Sequence, residues 1–127
     1  MNVVDSCGWL EYFADGTNAD FFAHPLSDAG AMIVPAVCLY EVYRRMAAQA
    51  GEEAALRATA QMRESPVIDV TASRALSAAR VSLESGLPMA DSLILAIARE
   101  YDAELWTQDA DFAHIPGVRY VAKGTTR

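Results

Sequence analysis

The stretch LPMADSLILAIAREYDAELWT, residues 87–107, carries the strongest secondary-structure signal in the chain. Counted from residue 90, its apolar side chains recur at offsets 0, 3, 4, 7, 8 and 11, which is the spacing of one helix face. These residues are Ala90, Leu93, Ile94, Ile97, Ala98 and Tyr101. A predicted strand, 104–107, follows the helix closely. Because a helix that leads into a short apolar strand is typical of a βαβ unit, this stretch predicts a parallel sheet.

The same alternation extends over the rest of the chain. Four further apolar runs are predicted strands: 2–4, 31–34, 67–70 and 118–121. Helices are predicted between the strands; one around 20–24 ends before Pro25, and Pro35 is the first residue of another. No internal repeat or linker interrupts the pattern. The sequence therefore predicts an α/β fold in one domain, residues 1–127, with helices on both faces of a parallel sheet.

The chain is acidic. Its 17 Asp and Glu residues against 10 Lys and Arg give a net charge of −7, and 53% of its residues are apolar. This hydrophobicity excludes a disordered chain. The negative charge argues against a protein that coats nucleic acid nonspecifically, because such binding requires a broad basic face. It leaves open an enzyme that holds phosphates through a bound metal ion and a few arginines.

The sequence gives no sign of export or of a membrane segment. Its N-terminus lacks the basic start and apolar run of a signal peptide, so a cytoplasmic protein is expected. Cys7 and Cys38 form no CxxC pair and are expected to be small buried residues in a reducing compartment. Since His24 and His114 are the only histidines, no Cys/His zinc site is predicted.

Acidic residues follow two of the predicted strands, where parallel α/β sheets bind ligands. Asp5 follows the first strand, and Asp109 and Asp111 follow the strand of the opening stretch. Glu41 and Asp91 lie on helices beside apolar stripes. Carboxylates that converge on one sheet edge repel one another, and such a cluster persists when a hard divalent cation sits among them. Oxygen ligands alone favour Mg²⁺ or Mn²⁺.

Each acid also has a purely structural interpretation. Asp91, in the first turn of a helix, would interact favourably with the helix dipole, and Asp5 would cap a helix. Glu41 is either solvated or part of a pocket wall. Asp109 and Asp111 can simply shape a turn. Taken one at a time, these residues do not decide between a structural and a catalytic role.

The order of four segments narrows the choice. They are VDS (4–6), VPAVCLYEV (34–42), LPMADSLILAIA (87–98) and LWTQDADF (105–112). With these segments the chain resembles a PIN domain, and more narrowly a bacterial toxin of the VapC type, across about residues 1–121. The Thr-x-Asp-x-Asp-Phe element and the Ala-Asp-Ser-Leu-Ile-Leu-Ala helix start are the most specific parts of the resemblance.

The resemblance implies a three-layer α/β/α sandwich with a short-stranded parallel central sheet, and a metal-dependent ribonuclease. Matched position by position, the four catalytic acids of the family fall on Asp5, Glu41, Asp91 and Asp109. Asp111 matches a second acid of the Thr-x-Asp-x-Asp-Phe element, whose role varies. Ser6 and Thr107 match small hydroxyl positions that orient carboxylates or water.

The same resemblance implies a Mg²⁺ (or Mn²⁺) cofactor. Asp5 and Asp91 would hold the first ion. Glu41 and Asp109 would bind its waters or help to hold a second ion, and Asp111 is a further candidate ligand. Hydrolysis would leave a 5′-phosphate and a 3′-hydroxyl, with Glu41 or Asp109 accepting the proton of the attacking water.

An RNA substrate, such as a tRNA or another structured RNA, is implied by the family. Arg44 and Arg45 stand three and four residues after Glu41, so on a helix one of them could bind a phosphate at the same pocket. A solvated helix face is the alternative, and both interpretations apply equally to Arg80 and Arg99.

The family also implies a cognate antitoxin of the VapB type. The helical pair 36–50 and 52–63 offers an apolar surface for an amphipathic antitoxin helix. The same surface could instead close the core of the domain or a homodimer interface. The acidic charge of the chain would favour a basic antitoxin.

Two other functions fit less of the sequence. A phosphatase of the haloacid-dehalogenase type requires a second Asp two residues after the Asp of the first strand, and that position holds Cys7. The nonenzymatic alternative is a catalytically silent PIN fold that serves as a binding module or an RNA-processing scaffold. Silent versions usually lose acids, whereas this chain keeps all four.

Overall fold

The computed structural model describes residues 1–124, which form five strands and six α-helices. The strands are β1 (Asn2–Val4), β2 (Val34–Pro35), β3 (Val67–Ile68), β4 (Glu104–Thr107) and β5 (Val118–Tyr120). The helices are α1 (Ser6–Phe13), α2 (Ala19–Leu26), α3 (Ala36–Ala50), α4 (Glu52–Met62), α5 (Ala72–Ser85) and α6 (Met89–Glu100). The end of the predicted domain, 125–127, lies outside the described residues.

All strand pairs in the described chain are parallel. β4 lies between β1 and β5, and β2 pairs with β3. A parallel bridge between Asn2 and Met32 joins the two groups, which gives the order β3-β2-β1-β4-β5. With helices against both faces of this sheet, the structure confirms the α/β class and the three-layer α/β/α architecture.

The helix of the opening stretch, α6, lies in the middle of the core. Ile94 and Ile97 are fully buried, and they pack with Val3 and Val4 of β1 and Leu105 of β4 in one continuous cluster. The buried face is wider than the predicted stripe because α6 contacts both the sheet and α5. The helix ends at Glu100, so Tyr101, the last residue of the predicted stripe, is its C-cap and is 38% exposed.

A close approach of α1 and α2 fixes the position of the turn after β1. A Cβ atom on Gly8 would lie 2.6 Å from the Phe22 ring and 2.6 Å from Val4, so only a glycine fits there. α1 can therefore begin at Ser6, directly after the strand, and Asp5 becomes its N-cap.

The predicted bounds of the second strand and of the helix that follows it were wrong. The run 31–34 is mostly not strand, because residues 29–31 form a 3-10 turn in which Asp28 accepts a hydrogen bond from Gly30 N. Pro35 is the last residue of β2 and the N-cap of α3, rather than its first helical residue. β3 and β5 are likewise shorter than predicted, since only the paired residues count as strand.

The predicted end of the second helix before Pro25 was also wrong. α2 continues through Pro25 to Leu26. Proline removes a single backbone donor, and the helix closes one turn later with a hydrogen bond from Ser27 N to the Ala23 carbonyl at 2.9 Å. Pro25 is buried, so packing favours its place in the last turn.

Within residues 1–124, no single helix has the length and apolar character to cross a membrane. α5 and α6 together satisfy both criteria, but they meet at an angle of 109°.

Replacing Leu95 of α6 with alanine tests the central place of this helix. Leu95 is 3% exposed, so Leu95→Ala should lower the free energy of unfolding by about 2–5 kcal/mol through lost burial and a residual cavity. Leu56→Ala on α4 is the matched control, because Leu56 is 56% exposed and its truncation should change stability by no more than about 0.5 kcal/mol. Urea unfolding of both variants measures the difference, and equal effects would show that α6 is not the core helix.

Candidate metal centre

Asp5 occupies the carboxyl end of β1, where it is 3% exposed. Its Oδ1 accepts a hydrogen bond from Ser6 N at 2.7 Å, as an N-cap. Its Oδ2 accepts from Thr107 Oγ1 at 2.7 Å and from Cys7 Sγ at 3.3 Å. The side chain is therefore both the cap of α1 and a fixed carboxylate at the sheet edge, so its structural and ligand interpretations are compatible.

Asp109 is placed by the end of β4. Thr107 Oγ1 accepts a hydrogen bond from Asp109 N at 2.9 Å while it donates to Asp5. Asp109 Oδ1 in turn accepts from Asp111 N at 2.9 Å and caps the 3-10 turn Ala110–Phe112. One hydroxyl group thus connects the two acidic segments that follow the central strands.

Asp91 completes a triad of carboxylates. It lies in the first turn of α6, and one oxygen each from Asp5, Asp91 and Asp109 lie within 4.8 Å of one another. Three carboxylate oxygens at this spacing fit a hard divalent cation, which prefers oxygen ligands. The donor set of the described residues therefore suits the Mg²⁺ or Mn²⁺ that the sequence predicts.

Charge crowding in the triad is visible in its pKa values. Partial burial raises the pKa of Asp91 to about 7, and the negative charges of Asp5, Asp109, Asp111 and Glu41 add to the rise. The pKa of Asp5 is raised by burial, against the opposing effect of its hydrogen bonds from Thr107, Cys7 and Ser6. A bound cation would relieve this repulsion.

Glu41 and Asp111 have different places around the triad. Glu41 lines the same cavity from α3, and its Oε1 accepts a hydrogen bond from Ser6 Oγ at 2.6 Å. It does not belong to the group of three oxygens. Asp111 is exposed and does not line the cavity, although it lies close enough for its charge to raise the pKa of Asp91.

The four candidate arginines separate into two pairs. Arg44 and Arg45 line the cavity beside the acids. Arg80 and Arg99 line a separate depression on α5 and α6. Helix spacing alone placed Arg44 and Arg45 near Glu41, whereas the location of Arg80 and Arg99 depends on how α5 and α6 pack.

Cys7 is the residue of the site that the sequence interpretation missed. Its thiol is partly exposed, lines the cavity, and contacts both Asp5 Oδ2 and Thr107 Oγ1. Burial and the charge of Asp5 raise the pKa of the thiol to about 12, so it stays protonated and donates to the carboxylate. Cys38 is buried as predicted, whereas the same prediction for Cys7 was wrong because its side chain faces the cavity; both cysteines are free. The only sequence signal was the position of Cys7, two residues after the strand-end acid.

The cavity has a volume of about 380 Å³ and also includes Leu10 and Tyr40 in its wall. Acids form its floor, and arginines and an aromatic ring stand at its rim. This arrangement can hold a divalent cation next to a phosphodiester, with cationic side chains available for neighbouring phosphates.

Several solved structures with the same fold are described as toxins or toxin–antitoxin complexes. A toxin–antitoxin complex from Klebsiella pneumoniae is 22% identical, with a TM-score of 0.78 over 93% of this chain and 95% of that chain. VapC20 from Mycobacterium tuberculosis, described as a sarcin–ricin-loop-cleaving toxin, is 19% identical, with a TM-score of 0.77 over 94% and 98%. DNA-bound VapBC from Salmonella typhimurium is 16% identical, with a TM-score of 0.70 over 96% and 98%.

At these identities the likeness shows a shared fold. No curated protein matches this chain at a significant level. The family profile of the PIN domain, however, matches residues 3–118, nearly the whole chain. On that match and the parallel sheet with acids at its carboxyl edge, the chain belongs to the PIN domain family.

Proposed function

We propose that this chain is a Mg²⁺- or Mn²⁺-dependent ribonuclease and acts as the toxin of a type II toxin–antitoxin system. The observation that carries the proposal is the triad of carboxylate oxygens within 4.8 Å at the carboxyl edge of a PIN-domain sheet. Because all four predicted acids line one cavity, an enzyme is favoured over a silent binding module.

In the proposed mechanism Asp5, Asp91 and Asp109 hold the cation. When bound, the ion supplies charge neutralisation at the scissile phosphate and lowers the pKa of water. Thr107 and Ser6 keep Asp5 in place, and Ser6 also orients Glu41. Glu41, beside the triad, accepts the proton of the attacking water, and the products are a 5′-phosphate and a 3′-hydroxyl. Asp111 has no part in this scheme.

RNA is the proposed substrate. Arg44 and Arg45 support it, since they bring positive charge to the rim of the acidic cavity. The M. tuberculosis neighbour of the same fold is described as cleaving the sarcin–ricin loop, which is an RNA. Such a reaction would take place in the cytoplasm.

The proposed partner is a cognate antitoxin of the VapB type. Support comes from the neighbours that are toxin–antitoxin or VapBC complexes. The net charge of −7 favours an antitoxin whose toxin-binding segment is basic.

A homodimer is also proposed, through α5 and α6. Leu76 and Leu83 stand two turns apart on α5 and are 71% and 89% exposed, and Met89 is 78% exposed at the start of α6. Beside this ridge runs an apolar groove of about 400 Å³ between the two helices. A ridge next to a groove is self-complementary under a two-fold axis, because each ridge can enter the groove of the partner.

Cleavage of RNA by the purified chain is the direct test of the proposed function. With Mg²⁺ or Mn²⁺, the wild-type chain should cut total cellular RNA and leave 5′-phosphate ends, and EDTA should stop the reaction. Asp91→Asn should lower the rate at least about 100-fold, because it removes one of three cation ligands. End-labelled RNA on denaturing gels measures the rate. In cells, expression of wild type but not Asp91→Asn should arrest growth.

Asp69→Asn is the matched control, since Asp69 is exposed and lies outside the cavity. It should cleave RNA and arrest growth as the wild-type chain does. If wild type fails to cleave RNA and binds no divalent cation, the silent-scaffold alternative takes precedence.

Stability without metal should depend on the protonation of Asp91. In the folded chain the pKa of the Asp91 carboxyl group is raised to about 7, whereas in the unfolded chain this group has its ordinary pKa of 3.8. Between these values the folded state binds more protons, so the free energy of unfolding should fall as pH rises from about 4 to 7. Asp91→Asn should flatten this part of the profile, and Asp69→Asn should leave it unchanged. At pH 7.5, Mg²⁺ or Mn²⁺ should raise the melting temperature of wild type but not of Asp91→Asn.

The proposed dimer can be tested by light scattering. Wild type should show twice the 13.7 kDa mass of one chain, and Leu83→Arg should shift it to the monomer by burying a charge in the apolar interface. Leu56→Arg on α4 introduces the same charge away from this surface and should remain dimeric. A monomeric wild type, or dissociation by both variants alike, would contradict this interface.

A further inference from the structure

We infer that an unpaired RNA segment next to the scissile bond lies in a groove between α3 and α4, with a base stacked on Tyr40 and phosphates bound by Arg44 and Arg63. This inference rests on the proposed ribonuclease function and names the substrate feature that the site would select. The α3–α4 groove is defined by Tyr40, Tyr43, Arg44, Ala47, Thr59 and Arg63.

The α3–α4 groove is continuous with the acidic cavity. It is open, with a volume of about 600 Å³, and two of its residues, Tyr40 and Arg44, also form the cavity wall. They stand one helical turn apart on α3, so they occupy the same helix face. A strand whose scissile phosphate reaches the triad therefore continues past these two side chains.

In the described part of the chain, the α3–α4 groove carries two arginines and no acid in its lining. Arg57, Arg74 and Arg119 are in ion pairs with acids elsewhere on the surface. Across residues 1–124, no acid forms such a pair with Arg44 or Arg63. The two guanidinium groups are thus available to an anionic ligand, and a row of phosphates fits them.

The other polar groups of the groove are already engaged. Tyr43 Oη donates to Glu52 Oε1 at 2.7 Å, and Thr59 Oγ1 donates to the Ala55 carbonyl at 2.9 Å. The Tyr40 side chain, which is 65% exposed, remains free for a ligand in the groove that Arg44 and Arg63 also line. An exposed aromatic ring flanked by arginines is the arrangement on which single-stranded nucleic acids stack.

The exposed ring selects an unpaired base. In a duplex both faces of a base are covered by its neighbours, so only a base in a loop, bulge or end can stack on Tyr40. Cleavage would therefore be directed to such positions. An acidic polypeptide could also bind the two arginines, but it would not need the exposed ring at the cavity mouth.

Binding measured in EDTA tests the groove without cleavage. The probe is a fluorescein-labelled unstructured RNA 12-mer, used alone and annealed to its complement, with anisotropy as the readout. Tyr40→Ala should weaken binding of the single strand by on the order of tenfold, the loss of one stacked base, while Tyr40→Phe retains it. Arg44→Ala and Arg63→Ala should each reduce the slope of log K against log salt concentration by about 0.7, the value for one phosphate contact on a single strand.

Arg80→Ala is the matched control, because Arg80 is exposed but lies away from the groove. It should change neither the affinity nor the salt slope beyond experimental error. All these side chains are on the surface, so thermal melting should show that the variants remain folded.

The outcomes separate the groove from the nuclease. Loss of single-strand binding in the groove variants supports the inference, even if wild type never cleaves and the proposed function fails. Conversely, if wild type cleaves RNA while Tyr40→Ala and Arg63→Ala bind and cleave RNA normally, the proposed nuclease function is supported and the groove inference is contradicted. Equal affinity for duplex and single strand would overturn the unpaired-base requirement. Groove variants that lose an acidic peptide but retain RNA would assign the groove to a polypeptide.

Discussion

The hydrogen bond from Thr107 Oγ1 to Asp5 Oδ2, 2.7 Å long, joins the two central strands at the point where both end. Parallel pairing places Val4 opposite Trp106, and Asp5 N donates to the Trp106 carbonyl, so Asp5 and Thr107 lie side by side at the carboxyl edge of the sheet. The same hydroxyl accepts from Asp109 N. Thr107 therefore sets the spacing between two carboxylates, and a change of strand register would separate them.

The acids of the triad differ in how much the protein compensates their charge. Asp5 is buried and receives hydrogen bonds from a backbone amide, a hydroxyl and a thiol. The pKa of Asp91 is raised mainly by burial and by the charges of the other acids. Asp5 is thus a fixed point of the site, while the charge of Asp91 depends on what occupies the space between them. A fold that keeps such a group gives up some stability for its function.

Sequence patterns predicted the parts of the fold that depend on periodicity and on strand order. The α6 stripe and the strand 104–107 were right because burial in a parallel α/β sheet produces those patterns directly. The short strand β2 was misplaced, since its position depends on a 3-10 turn capped by Asp28 and on a partner strand far away in the chain. Pairing over such distances leaves little local signal.

The sequence predicted the site residues that follow the ends of adjacent strands. It did not predict those whose side-chain orientation depends on a local turn or on helix packing. Acids after β1 and β4 had to lie near each other, and the structure places Asp5 and Asp109 together. Asp111 followed the same logic, but the 3-10 turn that Asp109 caps leaves it exposed. The position of Cys7, two residues after Asp5, was too weak a signal, because its contact with Asp5 depends on how α1 begins after the strand. The sequence indicated a binding surface on the helical pair 36–50 and 52–63, but it did not indicate that two arginines meet there. Arg63 is 19 residues from Arg44 in the chain, and the packing of the two helices brings both to one groove. Under the proposed function, a few local contacts in this groove would let an acidic protein bind RNA, and the lack of a broad basic face would favour selective over nonspecific binding.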